Sequence, residues 1–333
     1  MKLRLLLALA TFTACTTTLS VTGNSSVDTG STVDTSLASD NASSDTGSSD
    51  SGSGTDASSS SDTGSAKGAP FLCPKKIYKT LVVVGDSISD VGGGGSGQQP
   101  FYRTLLVQND DKLYPEWKGF DLSTCWGLDP KAGVVKVSKG GAVATEGKPQ
   151  SVLFEQVKAI PMTLEGPVLV VGTIGGNDVQ AGLINVVIGT PAQAEADIAA
   201  FIKGSGDAMG YLTTADRFGA GVHVDVLITN IYDPTGGSGD FTFTPKNQAC
   251  GGMFTLWPKG KTTDEPLKPW NDAMQTEADK YPGVHLLDLH AEFIGHQVSK
   301  PDPENWYHDD CIHPNAAGHE HIRELFWTAM LGL

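Results

Sequence analysis

Five short apolar runs rich in β-branched residues constrain this chain more than any other feature. Thr80–Gly85 (Thr-Leu-Val-Val-Val-Gly) is unbroken, and similar runs lie at Gly133–Val137, Pro167–Gly172, Val222–Thr229 and Val284–Leu287. Runs without polar alternation suit strands covered on both faces, the condition of a parallel sheet. The segments between them are expected to be helical: Pro100–Val107, Pro149–Ile160, Pro191–Thr214 and Pro266–Tyr281, with a last helix after Pro314 running to about Met330. This alternation predicts an α/β fold, a three-layer αβα sandwich with about five parallel strands. In open sheets of this kind ligands bind beyond the carboxyl ends of the strands. Chemistry is therefore expected just after each run. Asp233–Thr263, rich in Gly, Pro, Thr and Asp, is too long for an ordinary connection and reads as a functional insertion.

All five runs fall in the last four-fifths of the chain, and composition explains why. Of the 54 residues from Thr16 to Ala69, 41 are Ser, Thr, Asp or Gly, and none is aromatic. Such a segment cannot bury enough apolar surface to offset the entropy of ordering, so residues 16–69 are expected to be a disordered tether. A coil of that length spans roughly 40 Å. Ahead of it, Met1-Lys2-Leu3-Arg4 and the apolar stretch Leu5–Phe12 read as a secretory signal, too short to span a bilayer. The signal ends in Phe12-Thr13-Ala14-Cys15, which resembles a bacterial lipobox in which Cys15 is lipidated. Cleavage near Ala14 with an incidental Cys15 is the alternative. Residues 1–15 are thus assigned to a lipoprotein signal and 70–333 to the folded domain. The expected location is the bacterial cell envelope, extracytoplasmic and anchored to the membrane through Cys15, or secreted.

Charge excludes one class of partner. Residues 1–69 carry seven Asp against Lys2, Arg4 and Lys67, a net of −4; the rest carries 31 acids and 20 bases, a net of −11, within the total of −15. With no basic arm, nucleic-acid binding is not expected. The five cysteines fit export: with Cys15 lipidated, Cys73, Cys125, Cys250 and Cys311 remain for two disulfides. Cys73–Cys125 and Cys250–Cys311 are the favoured pairs. No C-x-x-C pair supports a zinc site, so no metal is expected.

The residues after the runs carry four motifs. Gly85-Asp86-Ser87 follows the first run and places a hydroxyl at the carboxyl edge of the sheet. Ser138-Lys139-Gly140-Gly141-Ala142 follows the second, where a Gly N–H can point at the same place. Gly175-Gly176-Asn177-Asp178 follows the third, with an amide able to donate to an oxyanion. Asp310-Cys311-Ile312-His313 precedes the last helix. A carboxylate three residues before a histidine within a turn can fix the imidazole tautomer and stabilise its cation.

Taken in order, these motifs resemble the SGNH (GDSL-type) hydrolases over essentially residues 78–330. The resemblance implies an αβα, flavodoxin-like sandwich that hydrolyses carboxylic esters through an acyl-enzyme, with no cofactor. It implies Ser87 as nucleophile, His313 as general base and then acid, and Asp310 as its partner, with Asp309 one residue off the family spacing. It implies an oxyanion hole of the Ser87 N–H, a Gly N–H and the Asn177 amide. The Gly-Gly-Ala spacing favours Gly141 over Gly140. Asp86 and Asp178 read as structural. Position 88 is Ile where the family name implies Leu. The expected substrate is a small-molecule or polysaccharide ester, with a lean toward short acyl chains or acetylated polysaccharide over long-chain lipid, and the expected state is a monomer. An acyltransferase on the same site and a non-catalytic surface-binding module are the alternatives.

Other features carry less. Gly92, Gly94 and Gly97 match a dinucleotide fingerprint but begin seven residues after the strand ends, so a loop beside Ser87 is expected. His319 and His321 lie two apart on a helix, on different faces, and do not suggest a metal site. Trp306-Tyr307-His308 either lines the pocket or anchors its loop, and Trp257 and Trp270 pose the same choice.

Overall fold

The computed structural model describes residues 71–90, 100–148, 150, 152–239 and 262–333. The signal with Cys15, the tether, Gly92, Gly94, Gly97, Cys250, Trp257 and most of the insertion lie outside these residues. Five strands form one parallel sheet: β1 (Thr80–Gly85), β2 (Val134–Lys136), β3 (Val168–Thr173), β4 (Val224–Thr229) and β5 (Val284–Leu287), in the order β2-β1-β3-β4-β5. Each falls within or one residue beyond an apolar run. β1 and β3 are buried at every position, as strands covered on both faces must be.

The helices divide between two cores according to strand alternation. Leu81 and Val83 of β1, with Leu169 and Val171 of β3, face one core. It is closed by α1 (Tyr102–Val107), α2 (Leu122–Trp126), the short α7 (Leu289–Phe293) and α8 (Ala316–Gly332). Val82 and Val84, with Val168 and Val170, face the other core. There α3 (Leu153–Ala159), α5 (Pro191–Leu212) and α6 (Asp264–Ala278) pack. One further helix, α4 (Gly176–Ile188), starts directly after β3. Trp270 sits in this second core against Phe201 at 5.4 Å, so it is a packing residue. Among the described residues no helix is long and apolar enough to cross a membrane.

The helix starts follow from local chemistry. Thr190 and Gln193 form a reciprocal capping box with Pro191 in the first turn of α5. Asp121 caps α2 by accepting the Thr124 N–H at 2.7 Å, and Asn315 caps α8 by accepting the Gly318 N–H at 3.0 Å. α6 begins at Asp264, two residues before the expected Pro266. Proline in the first turn removes no helical hydrogen bond, so it does not mark the boundary.

Residues 71–79, ahead of β1, are fastened at several points. The expected Cys73–Cys125 disulfide is present and ties them to α2. Phe71 packs on Trp117 at 5.4 Å and Phe120 at 5.3 Å, and the Trp327 and Trp126 indoles donate to the Leu72 and Pro74 carbonyls at 3.2 and 3.4 Å. Cys311 is also disulfide-bonded; its expected partner, Cys250, lies outside the described residues.

Candidate active site

β1 delivers Ser87 to the carboxyl edge through a turn that only glycine allows at position 85. Gly85 has φ +107°, and a Cβ there would stand 2.0 Å from the Thr173 carbonyl oxygen. The turn is held from three sides. The Asp86 N–H donates to the Thr173 carbonyl at 3.0 Å. The Asp86 carboxylate accepts the Thr173 hydroxyl at 2.7 Å and the Ile88 N–H at 3.1 Å. From α3, the Gln156 amide accepts the Gly85 N–H at 2.8 Å and donates to the Gly85 carbonyl at 2.9 Å, standing in for a neighbouring strand. Burial pushes the Asp86 carboxyl up to about 6 despite these bonds. Asp86 borders the cleft beside Ser87, and its hydrogen bonds to Thr173 and Ile88 are those of a residue that holds the turn.

The C-terminal turn meets Ser87 from the other side. His313 Nε2 lies 2.7 Å from Ser87 Oγ, and His313 Nδ1 lies 2.6 Å from Asp310 Oδ2. Asp310 Oδ1 accepts the backbone N–H groups of Ile312 and His313, each at 3.0 Å. Burial alone would raise the Asp310 carboxyl. The hydrogen bond and charge of His313, with the two N–H groups, outweigh it and hold the group below the ordinary carboxylate range. The carboxylate thus stays ionised beside the imidazole. Asp309 is exposed, one residue away.

Two further elements face the same point. The loop after β2 turns through Gly141, whose φ is +75°. The Gly140 N–H is committed to Asp90 Oδ2 at 2.8 Å, and Asp90 also pairs with Lys136. No acceptor engages the Gly141 N–H among the described residues, and Gly141 lines the cleft with Ser87 and His313. This gives a physical reason for preferring Gly141 to Gly140. Asn177 lies in the first turn of α4; its amide donates one hydrogen to the Ala142 carbonyl at 2.9 Å and carries a second. Asp178 ties α4 to the same loop, accepting the Ala144 and Thr145 N–H groups, both at 2.9 Å, and the Thr145 hydroxyl at 2.7 Å. Burial raises its carboxyl against these bonds, and its role is to hold the loop.

The cleft beside Ser87 has a volume of about 310 Å³. Away from the polar corner its wall is apolar, built by Val179, Ile231, Tyr232, Leu289 and Ile312. Tyr232 escaped sequence reading; it stacks on Phe293 at 4.8 Å and its hydroxyl donates to the Ile312 carbonyl, fixing the turn that carries His313. Trp306 lies between the His296 and His321 rings at 3.4 and 3.8 Å, and the Tyr307 hydroxyl donates to the Asp233 carbonyl at 3.1 Å. Neither lines the cleft. These aromatics anchor the loop. His319 is buried against Phe101 and Tyr102, and its ring, held neutral by burial, accepts the Tyr102 N–H at 3.4 Å. Among the described residues no group of His, Cys, Asp or Glu could hold a metal ion.

Among curated proteins none matches the chain significantly. Solved structures resemble it at low identity. A putative GDSL-like lipase from Parabacteroides merdae matches with TM-score 0.48 and 12% identity, covering 78% of this chain and 99% of that one. The acetylxylan esterase Axe2 from Geobacillus stearothermophilus matches with TM-score 0.45 and 15% identity, covering 77% and 94%. A phospholipase A1 from Streptomyces albidoflavus matches with TM-score 0.38 and 18% identity, covering 77% and 98%. The family described as GDSL-like lipase/acylhydrolase matches residues 81–326, and the chain belongs to it.

Proposed function

We propose that this protein hydrolyses carboxylic esters by acyl transfer to Ser87 and then to water. The observation that carries this reading is the unbroken path from Asp310 Oδ2 through His313 to Ser87 Oγ, with links of 2.6 and 2.7 Å. Ser87 Oγ attacks the ester carbonyl as His313 Nε2 takes its proton. Asp310 stabilises the imidazolium and keeps its tautomer. The oxyanion is received by the Ser87 and Gly141 N–H groups and the second hydrogen of the Asn177 amide. Such donors contribute about 3–4 kcal/mol each. Collapse expels the alcohol, which takes the proton back from His313. Water then repeats the sequence on the acyl-enzyme and releases the acid.

The wall of the cleft speaks to the acyl group. Five apolar side chains and a volume of about 310 Å³ favour a chain of several carbons over acetyl. An acetylated polysaccharide, toward which the sequence leans, is the alternative substrate. The site reading extends to location: the signal and Cys15 support export with a lipid anchor, the tether holding the enzyme off the membrane. A fluorophosphonate probe on the folded domain should label Ser87, and protein denatured by heat beforehand should not be labelled. A panel of aryl esters of rising chain length, run beside an acetylated sugar, separates the two substrate classes. Ser87→Ala that hydrolyses as fast as wild type would end the proposal.

A further inference from the structure

The described residues contain a second imidazole beside the Asp310 carboxylate. His308 Nδ1 lies 3.9 Å from Asp310 Oδ2, the oxygen that also meets His313 Nδ1 at 2.6 Å. His308 Nδ1 is buried and has no hydrogen-bond partner. A buried nitrogen without a partner costs free energy and calls for an explanation. The backbone already ties the two histidines together: the His308 N–H donates to the His313 carbonyl at 2.8 Å, and the Cys311 N–H donates to the His308 carbonyl at 2.9 Å. These bonds close the loop that carries both rings, with His308 Nδ1 on the Asp310 side. Cys311, inside that loop, is fully buried and holds φ at +62°, a left-handed conformation that few side chains adopt without support. The loop is therefore fixed in shape, and His308 cannot drift far from Asp310.

We propose that His308 is a positioning residue for Asp310, closing on Oδ2 as a hydrogen-bond donor when His313 takes the Ser87 proton. The proposal rests on Asp310 acting as the partner of His313. A carboxylate oxygen accepts more than one donor, and hydrogen bonds of a catalytic site are often long at rest and tighten during reaction. Asp310 Oδ1 is pinned by two N–H groups. A donor on Oδ2 from His308 resists rotation of the carboxylate about its Cβ–Cγ bond. Oδ2 then stays in line with His313 Nδ1 through both proton transfers. His308 touches neither the nucleophile nor the cleft wall, so its removal should act on turnover rather than on substrate binding.

The test compares His308→Phe and His308→Asn in the full-length protein with an aryl ester. Phe keeps a ring of similar size without a donor; the Asn Nδ2 can stand where His308 Nδ1 stands. His308→Phe should lower kcat about tenfold, the scale of one hydrogen bond to a charged group, with KM unchanged. His308→Asn should recover most of that loss. Equal kcat in wild type and His308→Phe, or a loss that Asn does not recover, overturns the proposal. Thermal melting of both variants is recorded alongside. If Phe lowers only the melting temperature, His308 is a packing residue and the proposal fails. Asp310→Ala serves as the reference: if it too leaves kcat intact, the reading of Asp310 is what has failed.

Discussion

The sheet has an aspartate–histidine pair at each end, and only one of them is placed for chemistry. At the carboxyl edge Asp310 holds His313 at 2.6 Å, and the second nitrogen of His313 faces a serine hydroxyl. At the amino edge Asp225 Oδ2 meets His223 Nε2 at 2.8 Å, a comparable distance. The same oxygen also accepts the Lys76 ammonium at 2.6 Å and the Tyr78 hydroxyl at 2.5 Å, and Lys76 Nζ lies 2.8 Å from His223 Nε2. Lys76 and Tyr78 donate to the Asp225 carboxylate, with His223 beside it, and among the described residues no serine, threonine or cysteine is bonded to His223. The difference lies in what the pair is attached to. A carboxylate bonded to Lys76 and Tyr78 is a clamp between residues 71–79 and β4. In the proposed reaction, a carboxylate that orients one imidazole toward a hydroxyl stabilises the imidazolium without taking the proton itself.

Substitutions at the two ends should therefore separate activity from stability. The largest effect belongs to Ser87→Ala and His313→Ala, each lowering kcat by roughly 10⁴-fold or more on an aryl ester. Asp310→Asn follows, with a loss of about 10²–10⁴-fold, because the tautomer is no longer fixed. Asn177→Ala should cost about 10²–10³-fold in kcat, read with the same ester, as expected for one oxyanion donor. Asp225→Asn should leave kcat as it is and cost about 1–3 kcal/mol of unfolding free energy in urea titration. Ester turnover lost in Asp225→Asn at full folding would erase the contrast.

Acid sharpens the comparison. Burial pushes the Asp225 carboxyl upward, but the Lys76 and Tyr78 bonds and the nearby positive charges outweigh it and hold it below the ordinary value. Its stabilisation is therefore complete above the unfolded value of about 4 and is lost as pH falls through the lower folded value. The gap in stability between wild type and Asp225→Asn should close on acidification. Asp86 has the opposite sign. With its carboxyl at about 6, the folded protein keeps this proton longer than the unfolded chain, so Asp86 takes stability away as pH rises from about 4 to 6. Across that interval the melting temperature of Asp86→Asn should rise relative to wild type, the smallest of these effects.

Much of this was legible in the residues themselves. The five strands announce themselves because burial on both faces demands unbroken apolar runs, and each motif sits at the carboxyl end or turn where an α/β sheet gathers its chemistry. The choice of Gly141 over Gly140 was a matter of spacing in the sequence; the bond from Gly140 to Asp90 supplies its physical basis. Gln156 had no such signature. A glutamine on a helix looks like any solvated residue until the fold brings it to Gly85, 71 positions away. α4 was missed because its glycine-rich start, with Gly175 at φ +108°, reads as a turn. A Cβ on Gly175 would stand 2.7 Å from Ile231 Cδ1, so the glycine serves a close approach that only the folded chain reveals. The His308 contact depends on a left-handed cysteine, which no local propensity favours.

The disulfide at Cys73 acquires a mechanical meaning from its position. Tension entering from the N-terminal side reaches Cys73 seven residues before β1 begins, and the cross-link diverts it into α2 through Cys125. β1 ends two residues before Ser87. A pull that would otherwise shear β1, an inner strand, out of the sheet, carrying Ser87 with it, is thus taken up by a covalent bond to α2. Held in this way, β1 keeps the Ser87 hydroxyl at its far end aligned when the chain is pulled ahead of Cys73.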